Sequence, residues 1–139
     1  FERLFADGIR IVLATSAKQA ELHFHRGLLG VEDLIHAATS KDDVEHSKPC
    51  PDIFEAALRR VRPLGASEVL VVGDSPWDVK AACRVGLRTV AVRCGGFPDA
   101  DLIAAKTEPH PGEGGHGRVF GAGDVSEPHR PLRRRQDHA

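Results

Sequence analysis

Short runs of mostly apolar residues alternate along this chain with longer segments of helical periodicity. Residues 9–14, 69–72 and 89–92 form such runs, and polar or glycine residues follow the first two at once. A strand that is apolar on both sides is buried on both sides, which is typical of a parallel sheet packed between helices. The alternation predicts an α/β fold, a doubly wound, Rossmann-like parallel sheet with helices on both faces.

The intervening segments have apolar residues at the i, i+3, i+4 spacing of an amphipathic helix. In the first of them, Ala17, Ala20, Phe24 and Leu28 define the apolar stripe. Glycine or proline marks the segment ends, as is usual for helix boundaries. We expect helices over 17–28, 51–61 and 76–85, and a weaker strand over 34–37.

The chain of 139 residues is nearly neutral and has no long apolar segment. It has 19 lysines and arginines against 20 aspartates and glutamates, so no net field attracts nucleic acid or an anionic membrane. No run approaches the roughly 20 apolar residues of a membrane span. Three cysteines without a CxxC pair argue against a disulfide scaffold and a zinc ribbon. We therefore expect a cytoplasmic protein that binds neither nucleic acid nor membrane.

The character of the sequence changes near Lys106. Residues 106–139 contain 6 glycines and 4 prolines among 34 positions and have no sustained periodicity. Such a composition buries too little apolar surface to offset the entropy of ordering the chain. We expect a core domain at 1–105 and a disordered or aberrant tail at 106–139. Since the chain contains no methionine, even at its start, we also interpret it as a fragment of a longer protein.

Acidic residues follow the strand at 69–72, at the edge where parallel sheets bind ligands. Asp74 comes directly after this strand, and a carboxylate there offers the oxygen ligands that Mg²⁺ prefers. Asp78 lies four residues later and could reach the same pocket through a water. The alternative interpretation is that Ser75 and Asp78 form a capping box at the start of the next helix.

Thr15, Ser16 and Lys48 are candidates for binding an anion at the same edge. The hydroxyls and amides of Thr15 and Ser16 can hold a phosphoryl oxygen, although a serine or threonine here also caps the following helix. Lys48 precedes Pro49, which favours an extended backbone, so its ammonium group could project toward Asp74. A lysine considered alone is more often a solvated surface charge.

Three segments together resemble the second, third and fourth motifs of the haloacid dehalogenase (HAD) superfamily. They are 11–16 (IVLATS), 47–54 (SKPCPDIF) and 71–78 (VVGDSPWD), in the order and with the spacing of that family. The similarity is greatest to phosphoglycolate phosphatase and β-phosphoglucomutase-like members, whose third and fourth motifs read KPxPDxF and GDSxxD. The resemblance extends over residues 1–105.

The resemblance implies a Mg²⁺-dependent phosphatase that removes phosphate from a small phosphorylated metabolite through an aspartyl-phosphate. In that scheme Thr15 is catalytic and donates a hydrogen bond to the phosphoryl group, helped by backbone N–H groups near Ser16. Lys48 is also catalytic and offsets the negative charge around the phosphate. Asp74 binds the metal, and Asp78 supports it.

One motif of the family has no counterpart in the sequence. The first motif, hhhhDxDGT, supplies the nucleophilic aspartate, and Asp7-Gly8 precedes a strand instead of ending one. In the family this motif ends the strand that lies between those ending at Thr15 and at Asp74. We therefore expect a HAD-like core that lacks its central first strand and cannot hydrolyse a phosphate ester alone. The cap that selects the substrate, which follows the first motif in such members, is also absent.

Other classes of protein fit some of these residues. The absent nucleophile also fits a non-catalytic remnant that binds phosphate or a protein partner. A receiver-type phosphoacceptor domain shares the fold class, but it needs an acceptor aspartate at the end of the strand at 34–37, where none is present. A dehalogenase of the HAD superfamily would not need Mg²⁺, so the pair of Asp74 and Asp78 favours a phosphatase.

Overall fold

The computed structural model describes residues 1–106 and the backbone of 118–120. Five α-helices and five strands alternate in this described part of the chain, which confirms the predicted α/β fold. None of the described helices is long and apolar enough to cross a membrane. The helices are α1 (Glu2–Ala6), α2 (Gln19–Leu29), α3 (Asp52–Arg60), α4 (Pro76–Cys83) and α5 (Asp99–Ala104). The strands are β1 (Val12–Ala14), β2 (Ala37–Thr39), β3 (Leu70–Gly73), β4 (Arg88–Val92) and β5 (Arg118–Phe120).

The strands form two parallel sheets instead of one. β1 pairs with β2, while β3, β4 and β5 pair in that order. Among the described strands, none pairs with the second edge of β1 or with the second edge of β3. These open edges of β1 and β3 fit the break at which the family resemblance predicts that a central strand is missing.

Helix α3 joins the two sheets through side-chain packing. Its residues Ile53 and Phe54 are 2% and 5% exposed and belong to one apolar cluster with Val71 of β3. Ala14 of β1 packs against the same cluster. The apolar interior is thus continuous from β1 to β3, although the described strands on either side of the break share no backbone ladder.

The described helices cover one face of the three-stranded sheet. Val71 and Ala91 lie on that face and are buried, and Val79 of α4 packs with Ala91. On the opposite face Leu70 and Val72 are 53% and 66% exposed. The sequence predicts helices on both faces because β3 is apolar on both sides, whereas no described helix covers Leu70 and Val72.

Helix α2 ends as predicted but turns a different face to the interior. Gly30 follows it in the left-handed conformation, at φ 62°, and so provides the expected stop. Leu22 is the buried residue of α2, whereas Phe24 and Leu28 of the predicted stripe are 65% and 73% exposed. Leu22 and Phe24 are about 200° apart around a helix axis, so burial of one turns the other to solvent.

The second strand lies later in the sequence than predicted. The segment expected at 34–37 begins instead in a 3₁₀ turn at Glu32–Leu34, and β2 follows at Ala37–Thr39. The buried Thr39 hydroxyl donates a hydrogen bond to the carbonyl of Leu13 at 3.4 Å, which ties β2 to β1. Hydropathy alone could not locate this strand, because two alanines and a threonine carry a weak apolar signal.

The predicted tail lies almost entirely outside the described residues. Helix α5 ends at Ala104, close to the domain boundary expected near Lys106. Within the predicted tail, Arg118–Phe120 form β5 and pair in parallel with β4. These three residues form a strand where disorder was expected. The edge of β4 offers them hydrogen-bond partners, and amino-acid composition cannot predict such a pairing.

Candidate active site

The candidate site lies where β1, β2 and β3 end. Thr15 follows β1 directly, Asp74 follows β3, and Lys48 lies in the segment between β2 and α3. Parallel strands put their carboxyl ends on the same edge, where loops and helix N-termini converge. Two of the three segments singled out in the sequence meet through Lys48 and Asp78, and Thr15 lies at the carboxyl end of β1 in the other sheet.

The loop after β1 leaves a hydroxyl proton available. The Thr15 N–H donates to the carbonyl of Thr39 at 3.0 Å, which continues the pairing of β1 with β2. Thr15 Oγ1 accepts a hydrogen bond from the N–H of Ala17 at 3.1 Å. Because Oγ1 is the acceptor in this bond, its own proton can be donated to a ligand oxygen. Ser16 is exposed beside it.

Polar contacts fix this loop against the turn that follows β2. The Lys41 N–H donates to the carbonyl of Ala17 at 3.0 Å, and the Gln19 N–H donates to Asp42 Oδ2 at 2.8 Å. Ser40 is fully buried and caps the same turn. The Ala17 carbonyl and the Gln19 N–H therefore attach the start of α2 to this turn. Thr15, two residues before Ala17, is held in the same loop.

Lys48 and Asp78 form the most buried ion pair among the described residues. Lys48 Nζ lies 2.6 Å from Asp78 Oδ1, and the two side chains are 17% and 9% exposed. Asp78 Oδ2 accepts hydrogen bonds from Ser75 Oγ at 2.6 Å and from Ser75 N at 3.1 Å. The capping box predicted for Ser75 and Asp78 is thus confirmed, and both carboxylate oxygens of Asp78 have partners.

Burial and hydrogen bonding act in opposite directions on Asp78. Burial would raise the pKa of its carboxyl, but the hydrogen bonds from Lys48 and Ser75 and the charge of Lys48 outweigh burial. The pKa of Asp78 is therefore below its ordinary value, and the carboxylate is ionised at neutral pH. A direct role of Asp78 at a metal stays a prediction, since its oxygens are engaged by Lys48 and Ser75.

Gly73 lets the helix approach the end of β3. A Cβ atom at this position would lie 2.5 Å from Cβ of Asp78, which is closer than such atoms come in proteins. Any larger residue would therefore push α4 away from the strand. The glycine that ends β3, just before Asp74, is needed for Asp78 to reach Lys48.

Asp74 is the exposed carboxylate of the site. Its closest polar side-chain partner among the described residues is Cys94, whose Sγ lies 3.9 Å from Oδ2. Gly95 packs on the backbone of Asp74, because a Cβ there would lie 2.1 Å from the Asp74 carbonyl oxygen. With no described cation paired to it, this carboxylate can offer its oxygens to a hard cation.

The predicted residues share an edge without all being in contact. Lys48 and Asp78 are joined directly. In the described residues, no hydrogen bond joins Thr15 or Ser16 to either of them or to Asp74. The described part of the chain also holds no group of three or more His, Cys, Asp or Glu side chains that could hold a metal ion. Among the described residues, Asp74 is therefore a candidate metal ligand that does not belong to a cluster of such side chains.

Two contacts of the site have no signal in the sequence. Arg84, just after α4, donates from Nη1 to the carbonyl of Pro49 at 2.8 Å, next to Lys48. The turn at Arg93–Gly95 brings Cys94 and Gly95 to Asp74. Glycines such as Gly95 are common in turns, but only the three-dimensional packing reveals what this turn touches.

Comparison with known proteins identifies the family. The profile of the haloacid dehalogenase-like hydrolases matches residues 1–86. A Drosophila melanogaster protein named "Probable pseudouridine-5'-phosphatase" is 37% identical over 109 residues, which cover 75% of this chain and 45% of that protein. "(DL)-glycerol-3-phosphatase 1, mitochondrial" of Arabidopsis thaliana is 35% identical over 107 residues, 71% of this chain and 33% of that protein.

The fold comparison agrees with the sequence comparison. A crystal structure of a hydrolase from Pseudomonas syringae matches with a TM-score of 0.71 and 28% identity, over 86% of this chain and 53% of that chain. This chain spans less than half the length of both curated relatives. The profile covers more than half of this chain, and the fold agrees with that of a solved hydrolase. The chain therefore belongs to the haloacid dehalogenase-like hydrolases.

Proposed function

We propose that this chain is part of the catalytic core of a Mg²⁺-dependent phosphatase that removes phosphate from a small phosphorylated metabolite through an aspartyl-phosphate. The observation that carries the proposal is the Lys48–Asp78 ion pair at the edge where β1 and β3 end. A largely buried ammonium group held at this edge is suited to offset the charge on phosphoryl oxygens. The phosphatase names of two relatives support a phosphate ester as the substrate class.

Thr15 and Ser16 supply hydrogen-bond donors in this proposal. The hydroxyl proton of Thr15 is free because Oγ1 accepts from Ala17. The N–H of Ser16 has no acceptor among the described residues, so it too can bind a phosphoryl oxygen. These donors and Lys48 approach from the ends of different elements, which suits a group whose charge is spread over three oxygens.

Asp74 is the residue of this chain that would hold Mg²⁺. Its exposed carboxylate without a described cation partner fits a hard cation. When bound, Mg²⁺ would offset charge on the phosphoryl group and orient it. The nucleophilic aspartate is not in this sequence, and we propose that the strand carrying it occupies the break between β1 and β3. A cytoplasmic location, based on three free cysteines, is also part of the proposal.

Titration of the chain with inorganic phosphate in the presence of Mg²⁺, followed by ³¹P NMR, tests the phosphate site. We expect Lys48→Met to weaken phosphate binding about tenfold or more, because one charge-assisted hydrogen bond is lost. Lys41→Met is the matched control, since the Lys41 side chain is exposed and its contact with the loop after β1 is made by the backbone N–H, which the substitution keeps. Equal affinity in the wild type and Lys48→Met would contradict the proposal.

Hydrolysis of p-nitrophenyl phosphate tests the activity. The 139-residue chain is expected to show no turnover. A longer product of the same reading frame that adds a strand ending in DxDGT is expected to hydrolyse the ester and to lose activity in EDTA. If that longer protein binds phosphate without turnover, the non-catalytic remnant is the better description.

A further inference from the structure

The segment that carries Lys48 has little internal structure to fix it. Residues 44–51 contain turns but no helix or strand. Its backbone–backbone hydrogen bonds are local, such as the one from Cys50 N to the carbonyl of Ser47 at 3.1 Å. The position of the Lys48 ammonium group therefore depends on what other elements hold this segment.

Helix α4 holds the segment at two consecutive residues. Near its start, Asp78 binds the side chain of Lys48 at 2.6 Å. Just after its end, Arg84 donates from Nη1 to the carbonyl of Pro49 at 2.8 Å. Asp78 and Arg84 are six residues apart, which is about 9 Å along a helix axis. One contact holds the Lys48 ammonium group, and the other holds the backbone carbonyl of the next residue.

We propose that Arg84 is a positioning residue for Lys48, acting through the carbonyl of Pro49. This inference rests on the proposed function, in which Lys48 binds the phosphoryl group. The bond from a guanidinium to a carbonyl is charge-assisted, and arginine stays protonated at any working pH. Without this anchor the backbone at Pro49 can shift, and Asp78 alone then has to hold the Lys48 ammonium group.

The first experiment observes Lys48 directly, in the full 139-residue chain labelled with ¹³C-lysine. The ε-methylene NMR signal that disappears in Lys48→Met is assigned to Lys48. Asp78→Asn then gives the chemical shift of this signal when the ion pair is absent. We expect Arg84→Gln to move the signal toward that position and Arg84→Lys to restore it. Arg88→Gln is the matched control, because Arg88 Nη2 donates to the Ser67 carbonyl at 3.2 Å, away from Lys48.

The phosphate titration completes the test. We expect Arg84→Gln to weaken phosphate binding by roughly threefold to tenfold and Arg88→Gln to leave it unchanged. An unmoved Lys48 signal in Arg84→Gln overturns the positioning role, and so does a Lys48 signal that moves equally in Arg88→Gln. If Lys48→Met leaves phosphate binding unchanged, the proposed function fails, while the Lys48 signal still decides the role of Arg84.

Discussion

At the scale of single residues, Asp78 connects three parts of the structure. It caps α4 together with Ser75, it pairs with Lys48, and its Cβ packs where only a glycine fits at position 73. The sequence predicts that the lysine and the acidic motif meet at one sheet edge. It cannot predict which partners the carboxylate takes, because the spacing of Asp78 suits a metal and a helix cap equally well.

Replacement of Asp78 by asparagine should destabilise the fold. The change removes the charge from a pair whose side chains are mostly buried and leaves Lys48 with an unbalanced ammonium group. We expect a loss of about 3 kcal/mol in the free energy of unfolding, measured by urea denaturation at pH 7. Asp99→Asn is the control, because its pair with Arg93 is exposed and should contribute much less.

The effect of Asp78→Asn should depend on pH. The pKa of Asp78 is lowered in the folded state, so the ion pair stabilises the fold fully above the unfolded pKa of about 4. As pH falls through the lower folded value, protonation removes this contribution. The wild type and Asp78→Asn should therefore converge in stability below about pH 4. A difference that persists undiminished at lower pH would mean that the ion pair is not its cause.

Two buried threonines provide a second test at this scale. Thr89 is 2% exposed, and its hydroxyl has no hydrogen-bond partner among the described residues. Thr89→Val removes an unsatisfied polar group without changing the shape, so we expect about 1 kcal/mol of stabilisation in thermal unfolding. Thr39→Val should have the opposite sign, since the Thr39 hydroxyl donates to the Leu13 carbonyl. If both substitutions change the stability in the same direction, the two hydroxyls do not differ in hydrogen bonding as described.

At the scale of elements, the sequence predicts the type of each element better than its orientation. Around helix α3, Phe54 and Val61 (the residue just after the helix) are seven residues apart, share one face at helical spacing, and are both buried. The sheet of β1 and β2 packs against this helix, and Val71 of β3 belongs to the same apolar cluster. Helix α2 has apolar residues on two sides, and its spacing cannot show which side meets the interior. The buried side is decided by the residues that pack against the helix, and the periodicity of its own sequence cannot identify them.

Substitutions on the two sides of α2 should show whether the side of Leu22 or the side of Phe24 faces the interior. Leu22→Ala removes a buried side chain and should cost about 2–3 kcal/mol in urea denaturation. Phe24→Ala removes a side chain that is 65% exposed and should cost less than about 0.5 kcal/mol. Equal losses would indicate that Phe24 is covered in solution, as its stripe predicts.

At the scale of the whole molecule, the break between the sheets dominates. The resemblance in the sequence predicts it, because a missing first motif means a missing strand beside β1 and β3. The described part of β3 accordingly presents an unpaired edge, and Leu70 and Val72 on one of its faces are more than half exposed. An open edge next to apolar side chains is a site where chains pair with one another.

The open edge of β3 should make the isolated chain self-associate. We expect light scattering and sedimentation to show association at concentrations of roughly tens of micromolar, since an apolar edge without a partner strand recruits other strands. Val72→Lys should reduce it, because a charge on the exposed side of an edge strand opposes pairing, and little stability should be lost at a side chain 66% exposed. Leu28→Lys, at a side chain 73% exposed on α2, is the control and should have a much smaller effect. If Leu28→Lys reduces association more than Val72→Lys, the chains associate through the surface of α2. If the wild-type chain stays monomeric, the edge of β3 is not open in solution.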